Sequence, residues 1–468
     1  MTDTDPDQRT TAVVLAAGLG TRMRSRLPKV LHPVCGRPML AYVLDTATVA
    51  TASRPLVVYS PAVSAIREVF AERADFVLQA EPRGTGDALR AAVTALPGDI
   101  KHIVVLSGDV PLARPGMVTQ LVGDLRAGLA VMGLVTYHAV EPGGLGRIIR
   151  DDDGRIGRIV EEKDARPDEL MVDEVNAGIY AFDLAWLRGR IGHLRPSPAT
   201  GELYLPDLLL VARRDRRPVT ELLVQDEGRL MGINDRVQLQ IAERVMQMEI
   251  VQAHQRTGVT IADPAGTLIE ATVTIAEDVT IEPDVILRGE TSIGRETVIR
   301  AGSQIADSII GERCLVWASV IEESTVEDDV RIGPYSHLRP GSYVASHAEI
   351  GNFAEIKKTH LGARSKQHHF SYLGDADIGA DVNIGAGTIT ANYDGHVKHR
   401  TRIDDGAFIG SDTILRAPVT IGAGASTGAG SVVTRDVPAG KIAVGVPARI
   451  RDKRGPGAPS EGGEGEAR

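Results

Sequence analysis

The sequence predicts a chain of two unlike halves, an α/β unit with a mostly parallel sheet followed by a parallel β-helix. Three observations carry this. Strand-like and helical runs alternate from Thr11 to about Leu230, and aliphatic residues recur at every sixth position in long runs from Val273 to Val437. Between them, Asp235 to Arg256 contains neither Gly nor Pro and repeats apolar residues at helical steps. The expected boundaries are 1–233 for the α/β domain, 234–257 for a helical linker, 258–454 for the β-helix and 455–468 for a disordered tail rich in Gly, Pro, Ser and Glu.

Thr11-Ala12-Val13-Val14-Leu15 reads as a buried strand. Leu56–Tyr59, Phe76–Gln79, Ile103–Leu106 and Val131–Tyr137 read as further strands, and Pro38–Val49, Val63–Arg73 and Asp87–Leu96 as helices. Such alternation builds a parallel sheet covered by helices, with ligands at the carboxyl ends of the strands. After the first strand comes Ala16-Ala17-Gly18-Leu19-Gly20-Thr21-Arg22, then Leu27-Pro28-Lys29. Glycines there let the backbone approach an anion, and their N–H groups can cradle phosphate oxygens. A tight turn is the plain alternative, and the Gly-Lys-Ser/Thr of a P-loop is missing.

In the connector, Val237, Ile241, Val245, Met248 and Val251 form one apolar stripe. At 1.5 Å per residue this helix would span about 30 Å. Its Val/Met stripe reads as a packing seam.

The six-residue period excludes a helix for the second half. A step of six turns a helical side chain by about 240°, so Ile275, Ile281, Leu287, Ile293, Ile299 and Ile305 would define no face. A flat strand would also need apolar residues at alternate positions, yet Gly, Asp, Glu, Thr and Ala fill the gaps. One short strand and one turn per hexad satisfies both facts. Three hexads then close a triangular coil, and coils stack about 4.8 Å apart. Val320, Val326, Ile332, Leu338, Val344, Ile350 and Ile356 make a second run, with Ile378 and Ile384 and then Ile403 to Val433 after it. The runs break at 357–372 and 391–395, and segments ejected from a regular coil are where function is expected.

Composition sets the limits. The 468 residues carry a net charge of −10, which argues against general nucleic-acid affinity. Cys35 and Cys314 are the only cysteines, so no disulfide framework forms and a reducing cytoplasm is expected. The acidic start lacks a signal peptide's basic region, and no apolar run reaches the roughly twenty residues that span a bilayer.

The string Leu15 to Met23 with Leu27-Pro28-Lys29 closely resembles the signature of sugar-1-phosphate nucleotidylyltransferases with a Rossmann-like fold. The resemblance implies nucleotide contacts from Leu15, Ala16, Ala17, Gly18 and Lys29, with Arg22 and Lys29 as catalytic cations. It continues through Gln79 and Gly84-Thr85, which would read the uracil base of UTP, and Gly108-Asp109. Asp109 and Asn234 would hold Mg²⁺, an ion that takes oxygen ligands and bridges substrate phosphates. Gly146, Glu161 and Asn176 would contact the sugar. Leu19 stands where some relatives carry a basic residue.

Hexads such as Ile350-Gly351-Asn352-Phe353-Ala354-Glu355 resemble those of left-handed β-helix acyltransferases, from which the left hand is taken. Such prisms form trimers with active sites in the clefts between subunits. Seven of the twelve histidines lie between His337 and His399. Zinc held between chains is one reading of them. The other is a general base, since neutral imidazole accepts a proton near pH 7. The order Arg339, Lys357, His369, Tyr372, Asn383, Asn392-Tyr393, Ser411 is similar to that of glucosamine-1-phosphate acetyltransferases. It implies His369 as base, Arg339, Lys357, Tyr372 and Asn383 on the sugar phosphate, and Ala386, Asn392, Tyr393, Ser411 and Ala429 along acetyl-CoA. At Val444-Gly445-Val446-Pro447 the chain departs from members with a basic CoA contact, for which Arg449 or Arg451 would substitute.

Taken together, the resemblances imply a homotrimeric bacterial bifunctional enzyme. It would acetylate glucosamine 1-phosphate and then transfer UMP from UTP to give UDP-N-acetylglucosamine for the cell envelope, with no nucleic-acid or membrane partner. A nucleotidylyltransferase whose β-helix serves only for assembly, and a scaffold without activity, are the two rival readings.

Overall fold

The computed structural model describes residues 9–225 and 227–453. The expected tail 455–468 lies outside the described residues. The chain divides into two compact units, Met1–Met246 and Gln247–Arg468.

The first unit is built on strands β1 (Thr10–Leu15), β4 (Leu56–Tyr59), β5 (Asp75–Leu78), β6 (His102–Ser107), β7 (Met132–His138), β10 (Glu174–Asp183) and β11 (Val219–Val224). A two-residue pair, β2 (Pro33–Val34) and β3 (Arg37–Pro38), precedes helix α1 (Met39–Thr51), and the hairpin β8 (Arg147–Arg150) and β9 (Ile156–Val160) joins the sheet through β10. The strand order is β11-β7-β10-β6-β1-β4-β5. All neighbours along it run parallel except β10, which is antiparallel to both β6 and β7. Strand β1 lies near the middle, and Ala12, Val13 and Val14 are wholly buried. That burial explains its uninterrupted apolar run: helices cover both faces of such a sheet. The helix expected over 63–73 is a 3-10 turn, Pro61–Val63, and one short α turn, Ile66–Val69. Only Val63, Ile66 and Phe70 are buried there, too few to sustain a longer helix against solvent. A helix, Arg236–Arg256, follows Asn234.

The second unit is a left-handed parallel β-helix. Its strands of two to four residues form three sheets in which each strand as far as Ile414–Arg416 pairs in parallel with the third one on in sequence, and the described chain ends on an antiparallel pair, Lys441–Val444 with Arg449–Asp452. Face A begins at Thr260–Ile261, face B at Leu268–Ile269 and face C at Thr274–Ile275. Each hexad turns one aliphatic inward. On face A, Ile281, Ile299, Val316, Ile332 and Ile350 follow one another in register and are at most 2% exposed. Each such side chain stabilises the prism by about 1.5–3 kcal/mol on burial.

Two details depart from the simple hexad count. Ile321, not Val320, fills the inner position on face B, because Ile305 pairs with a residue only sixteen further on and two turns are a residue short. On face A, Gln367 stands between Ile350 and Ile384 in the inner ladder. It is wholly buried and donates to Ser371 Oγ at 2.8 Å. Corner residues take left-handed backbone, often as Asp: Asp278, Asp284 and Asp329 have φ near +60°. Short polar side chains tolerate that region, whereas Tyr335 and Phe353, also at positive φ, are uncommon choices there.

Candidate active sites

In the first unit the carboxyl ends of β1 and β6 open into a cleft of about 550 Å³. Leu15, Ala16, Ala17, Gly18, Arg22, Lys29, Gln79, Gly84, Thr85, Asp109, Glu161 and Asn234 all line it. A smaller space of about 180 Å³ shares Leu15, Thr85, Asp109, Glu161 and Asn234 and adds Gly146 and Asn176. Of the residues expected here, only Gly108 lines neither. It lies behind the loop, donating its N–H to the Leu15 carbonyl at 2.9 Å, and a Cβ would stand 3.1 Å from that oxygen.

The glycine loop is tight for a reason that is local. Gly20 has φ +61°, and a Cβ on it would lie 2.5 Å from the Cβ of Lys29. The loop therefore closes against the segment that carries the lysine. Lys29 in turn donates to the Asp109 carboxylate and, at 3.2 Å, to Asn234 Oδ1, which also accepts from Arg22 Nη2 at 2.9 Å. Two oxygen donors from distant parts of the chain thus converge on a cationic nitrogen. That donor set suits a hard divalent cation, so the residues fit the metal a nucleotidyltransferase needs.

Gln79 is buried and donates to the Gly84 carbonyl at 3.2 Å and to Asp87 at 2.9 Å, which ties the segment from Gln79 to Asp87 together. Gly84 has φ +98°, and Leu203 backbone atoms would meet a Cβ at 2.5 Å. In the smaller space, strand β10 shifts register between Asn176 and Tyr180. The bulge turns Asn176 to accept from the Gly178 N–H at 3.1 Å while its amide donates to Tyr180 Oη. Burial pushes the Glu161 carboxyl up, helped by the nearby charges of Asp207 and Asp164. Burial, then Asp164, pushes Asp207 up to about 6. Glu202 and Tyr204 also line the cleft and were not legible from sequence. They sit on an irregular segment whose course depends on pairing Leu203 with Arg83 and Gly86, a contact across more than a hundred residues.

In the second unit the expected residues gather on face B and its two edges. Arg339 and Lys357 are direct register partners on adjacent coils. Tyr372 follows one coil on, two residues before Gly374, the partner of Lys357. A Cβ on Gly374 would lie within 2.6 Å of the Tyr372 ring, so the missing side chain gives the phenol room to lie along its own strand. The corner between faces A and B stacks Asn352, His369, Ala386, Ser411 and Ala429 in one column. Asn352 donates to the carbonyl of His368 at 3.2 Å, Asp412 to that of Ala386 at 2.6 Å and Gly430 to that of Ser411 at 2.8 Å. Among the described residues the His369 ring has no hydrogen-bond partner, and it meets His368 edge-on at 6.5 Å. The opposite edge carries Asn392, which donates to Asp375 and so holds the chain where the loop from Tyr393 leaves the coil.

That loop brings a residue the sequence reading missed. Lys398 stands beside Lys357: its side-chain contact, then desolvation, then the charges of Lys398 and Arg339 draw the Lys357 ammonium below its ordinary value, against the opposing pull of Asp375. Three cations therefore crowd one patch of face B. Asn383 is the exception among the expected residues: it lies on face A, between Lys366 and Phe408. Arg449 and Arg451 are exposed on the last strand, Arg449–Asp452. Among the described residues of this one chain no cluster of three or more His, Cys, Asp and Glu is arranged to hold a metal.

Comparison with known proteins agrees with this division. Residues 12–153 match the MobA-like NTP transferase domain, and residues 323–358 and 400–435 match the bacterial transferase hexapeptide repeats. The chain is 45% identical over 435 residues to the bifunctional protein GlmU of Heliobacterium modesticaldum, covering 93% of this chain and 95% of the relative. The chain belongs to the GlmU family. GlmU of Pelobacter propionicus is 44% identical over 92% of this chain and 95% of its own length, and that of Streptococcus equi subsp. zooepidemicus is 44% identical over 93% and 94%. Like that family, it is a bifunctional enzyme, with a nucleotidyltransferase unit ahead of a hexapeptide transferase unit. Among the described residues no helix is long and apolar enough to cross a membrane.

Proposed function

We propose that the second unit transfers acetyl from acetyl-CoA to glucosamine 1-phosphate, and that the first converts the product and UTP to UDP-N-acetylglucosamine and pyrophosphate. His369 takes the proton from the 2-amino group as nitrogen attacks the thioester carbonyl and CoA leaves as the thiol. An unprotonated amine is required for that attack, so a base that removes this proton assists it directly. Arg339 and Lys357, joined by Lys398, bind the sugar phosphate, with Tyr372 and Asn383 on the sugar. Asn392 and Tyr393 lie by the reacting acetyl, and Ala386, Ser411 and Ala429 follow the CoA arm.

The observation that carries this reading is the crowding of Arg339, Lys357 and Lys398 on the face whose edge bears His369. Arg339 keeps one ion pair, with Glu355 at 2.9 Å, and Asp375 draws on Lys357, but the three cations outnumber these carboxylates and suit a phosphate subsite. A β-helix serving only for assembly has no use for it. Asn383 on the neighbouring face supports a site completed by a second subunit, hence a homotrimer. Exposed aromatics on the same corner, Tyr335, Phe353 and Phe370, support that too: each is more than half exposed, beside His369.

In the first unit a sugar-phosphate oxygen attacks the α-phosphorus of UTP and pyrophosphate departs. Catalysis there rests on positioning and charge neutralisation. The glycine loop and Lys29 hold the nucleotide phosphates, Gln79 and Thr85 orient the base, and Arg22 meets the leaving group. Gly108 supports the loop from behind, while Gly146, Glu161 and Asn176 hold the acetylated sugar. A divalent ion, Mg²⁺ in this proposal, held by Asp109 and Asn234, supplies further neutralisation of phosphate charge. Two free buried cysteines, Cys35 and Cys314, accord with a cytoplasmic enzyme. One assay tests both halves: free-thiol release from acetyl-CoA with glucosamine 1-phosphate, beside pyrophosphate release from UTP with the acetylated sugar. Thiol release that does not depend on glucosamine 1-phosphate overturns the first half of the reading.

A further inference from the structure

The loop that brings Lys398 to face B is closed by a pair of side chains with no assigned part. The chain leaves its coil at Asn392 and returns through Arg400, whose guanidinium pairs with Asp377. Between them Asp394 is the hub. Its Oδ1 accepts from the N–H groups of His396 at 2.8 Å and Val397 at 2.7 Å, and its own N–H donates to the Val397 carbonyl at 3.2 Å. Its Oδ2 meets His399 Nε2 at 2.7 Å. His399 N–H donates to the Asn392 carbonyl at 2.8 Å, and Tyr393 and Lys398 form an antiparallel bridge. The loop is thus tied across its neck by one carboxylate, and Lys398 is the residue immediately before the tie.

That arrangement works against an obvious cost. An exposed lysine left free would swing away from a second ammonium and a guanidinium, since like charges repel and a surface lysine has several rotatable bonds. A fixed backbone at Lys398 keeps its ammonium from drifting far from the patch. The Val397 and His396 N–H groups and His399 hold the Asp394 carboxyl well below the usual carboxylate range, so the hub stays charged at any working pH.

We propose that Asp394, acting with His399, is a positioning residue for the acceptor phosphate: their contact clasps the loop 393–400 so that Lys398 completes a three-cation subsite with Arg339 and Lys357. This inference rests on the acetyltransfer reading and adds a residue pair to it. Neither residue touches the reacting atoms. The phosphate is recognised by Lys398, and Lys398 is aimed by the clasp.

The test uses the full chain with Asp394→Ala, Asp394→Asn, Lys398→Ala and the double alanine variant. Asp394→Ala is expected to raise KM for glucosamine 1-phosphate about tenfold, the scale of one charge-assisted contact, with KM for acetyl-CoA and kcat within about twofold. Asp394→Asn keeps an oxygen for the two N–H groups and a partner for His399, and should restore most of the loss. In the Lys398→Ala background, Asp394→Ala should add less than about twofold, because residues that act through one another are not additive. Trypsin cleavage after Lys398 should quicken about tenfold in Asp394→Ala, as an untied loop opens more often. Effects that multiply in the double variant, an equal rise in KM for acetyl-CoA, or an unchanged cleavage rate overturns the clasp. A parent enzyme without sugar-dependent thiol release overturns the acetyltransfer reading instead, and the trypsin comparison still decides the clasp.

Discussion

Lys29 and Asp109, eighty residues apart in sequence, meet as an ion pair in the cleft of the first unit, with Asn234 Oδ1 a further 3.2 Å acceptor for the same ammonium. Asp109 and Asn234 are the residues that would hold a divalent ion, and Lys29 would then be free to meet phosphate oxygens. Asp109→Ala should therefore lower pyrophosphate release at least about 10²-fold, the scale seen when an electrostatic element of a transition-state site is removed. Chelation of divalent metal should do the same. Neither treatment should change thiol release, which two parallel assays on one sample will show.

His369→Ala should lower acetyl transfer at least about 10²-fold through loss of general-base catalysis. Pyrophosphate release should be untouched, since the ring lies on the β-helix unit. Near-normal thiol release in this variant would remove His369 from the mechanism.

Gly84→Ala places a Cβ 2.5 Å from the Leu203 carbonyl at a backbone φ of +98°. Backbone cannot yield as a flexible side chain does, so a loss of roughly 2–4 kcal/mol in stability is expected. The readouts are the thermal midpoint and KM for UTP, both of which should worsen while KM for acetyl-CoA holds.

Asp207 has its pKa raised to about 6 by burial and by Asp164. A carboxyl raised on folding is protonated more readily in the folded state, so its contribution is present below about pH 4 and is lost as pH climbs through about 6. Asp207→Asn should remove that dependence. After discounting for partial exposure, it should gain roughly 1–2 kcal/mol at pH 8 and little or nothing at pH 4. Denaturant unfolding of both proteins at the two pH values checks the sign.

Gln367 is buried among aliphatics, and its Oε1 has no hydrogen-bond partner among the described residues. Gln367→Leu restores the inner ladder and removes an orphaned acceptor, which should add about 1–3 kcal/mol. A fall in thermal midpoint would mean that the bond to Ser371 outweighs the orphan.

The six-residue period was enough to specify the prism, because only one short strand and one turn per hexad let Ile281, Ile299 and Ile350 share a face while Gly and Asp take the corners. Likewise the strand and glycine loop of residues 11–20 pointed to a cleft that they do line, since both signals are local and read within a dozen residues. Val320 was misjudged where turns shortened, a one-residue effect that a period cannot reveal. The helix over 63–73 failed because burial, not propensity, sustains a helix of that length.

Sequence alone thus determined the two architectures and marked most of the residues that line the cleft of the first unit, as these follow from local periodicity and motif spacing. Tertiary structure decided which of them meet: that Asn234 shares an ammonium with Asp109, that Leu203 walls in Gly84, that Lys398 is folded back onto Lys357, and that Asn383 faces elsewhere. Those outcomes depend on register and loop closure between residues far apart in the chain, where no short-range pattern carries the information.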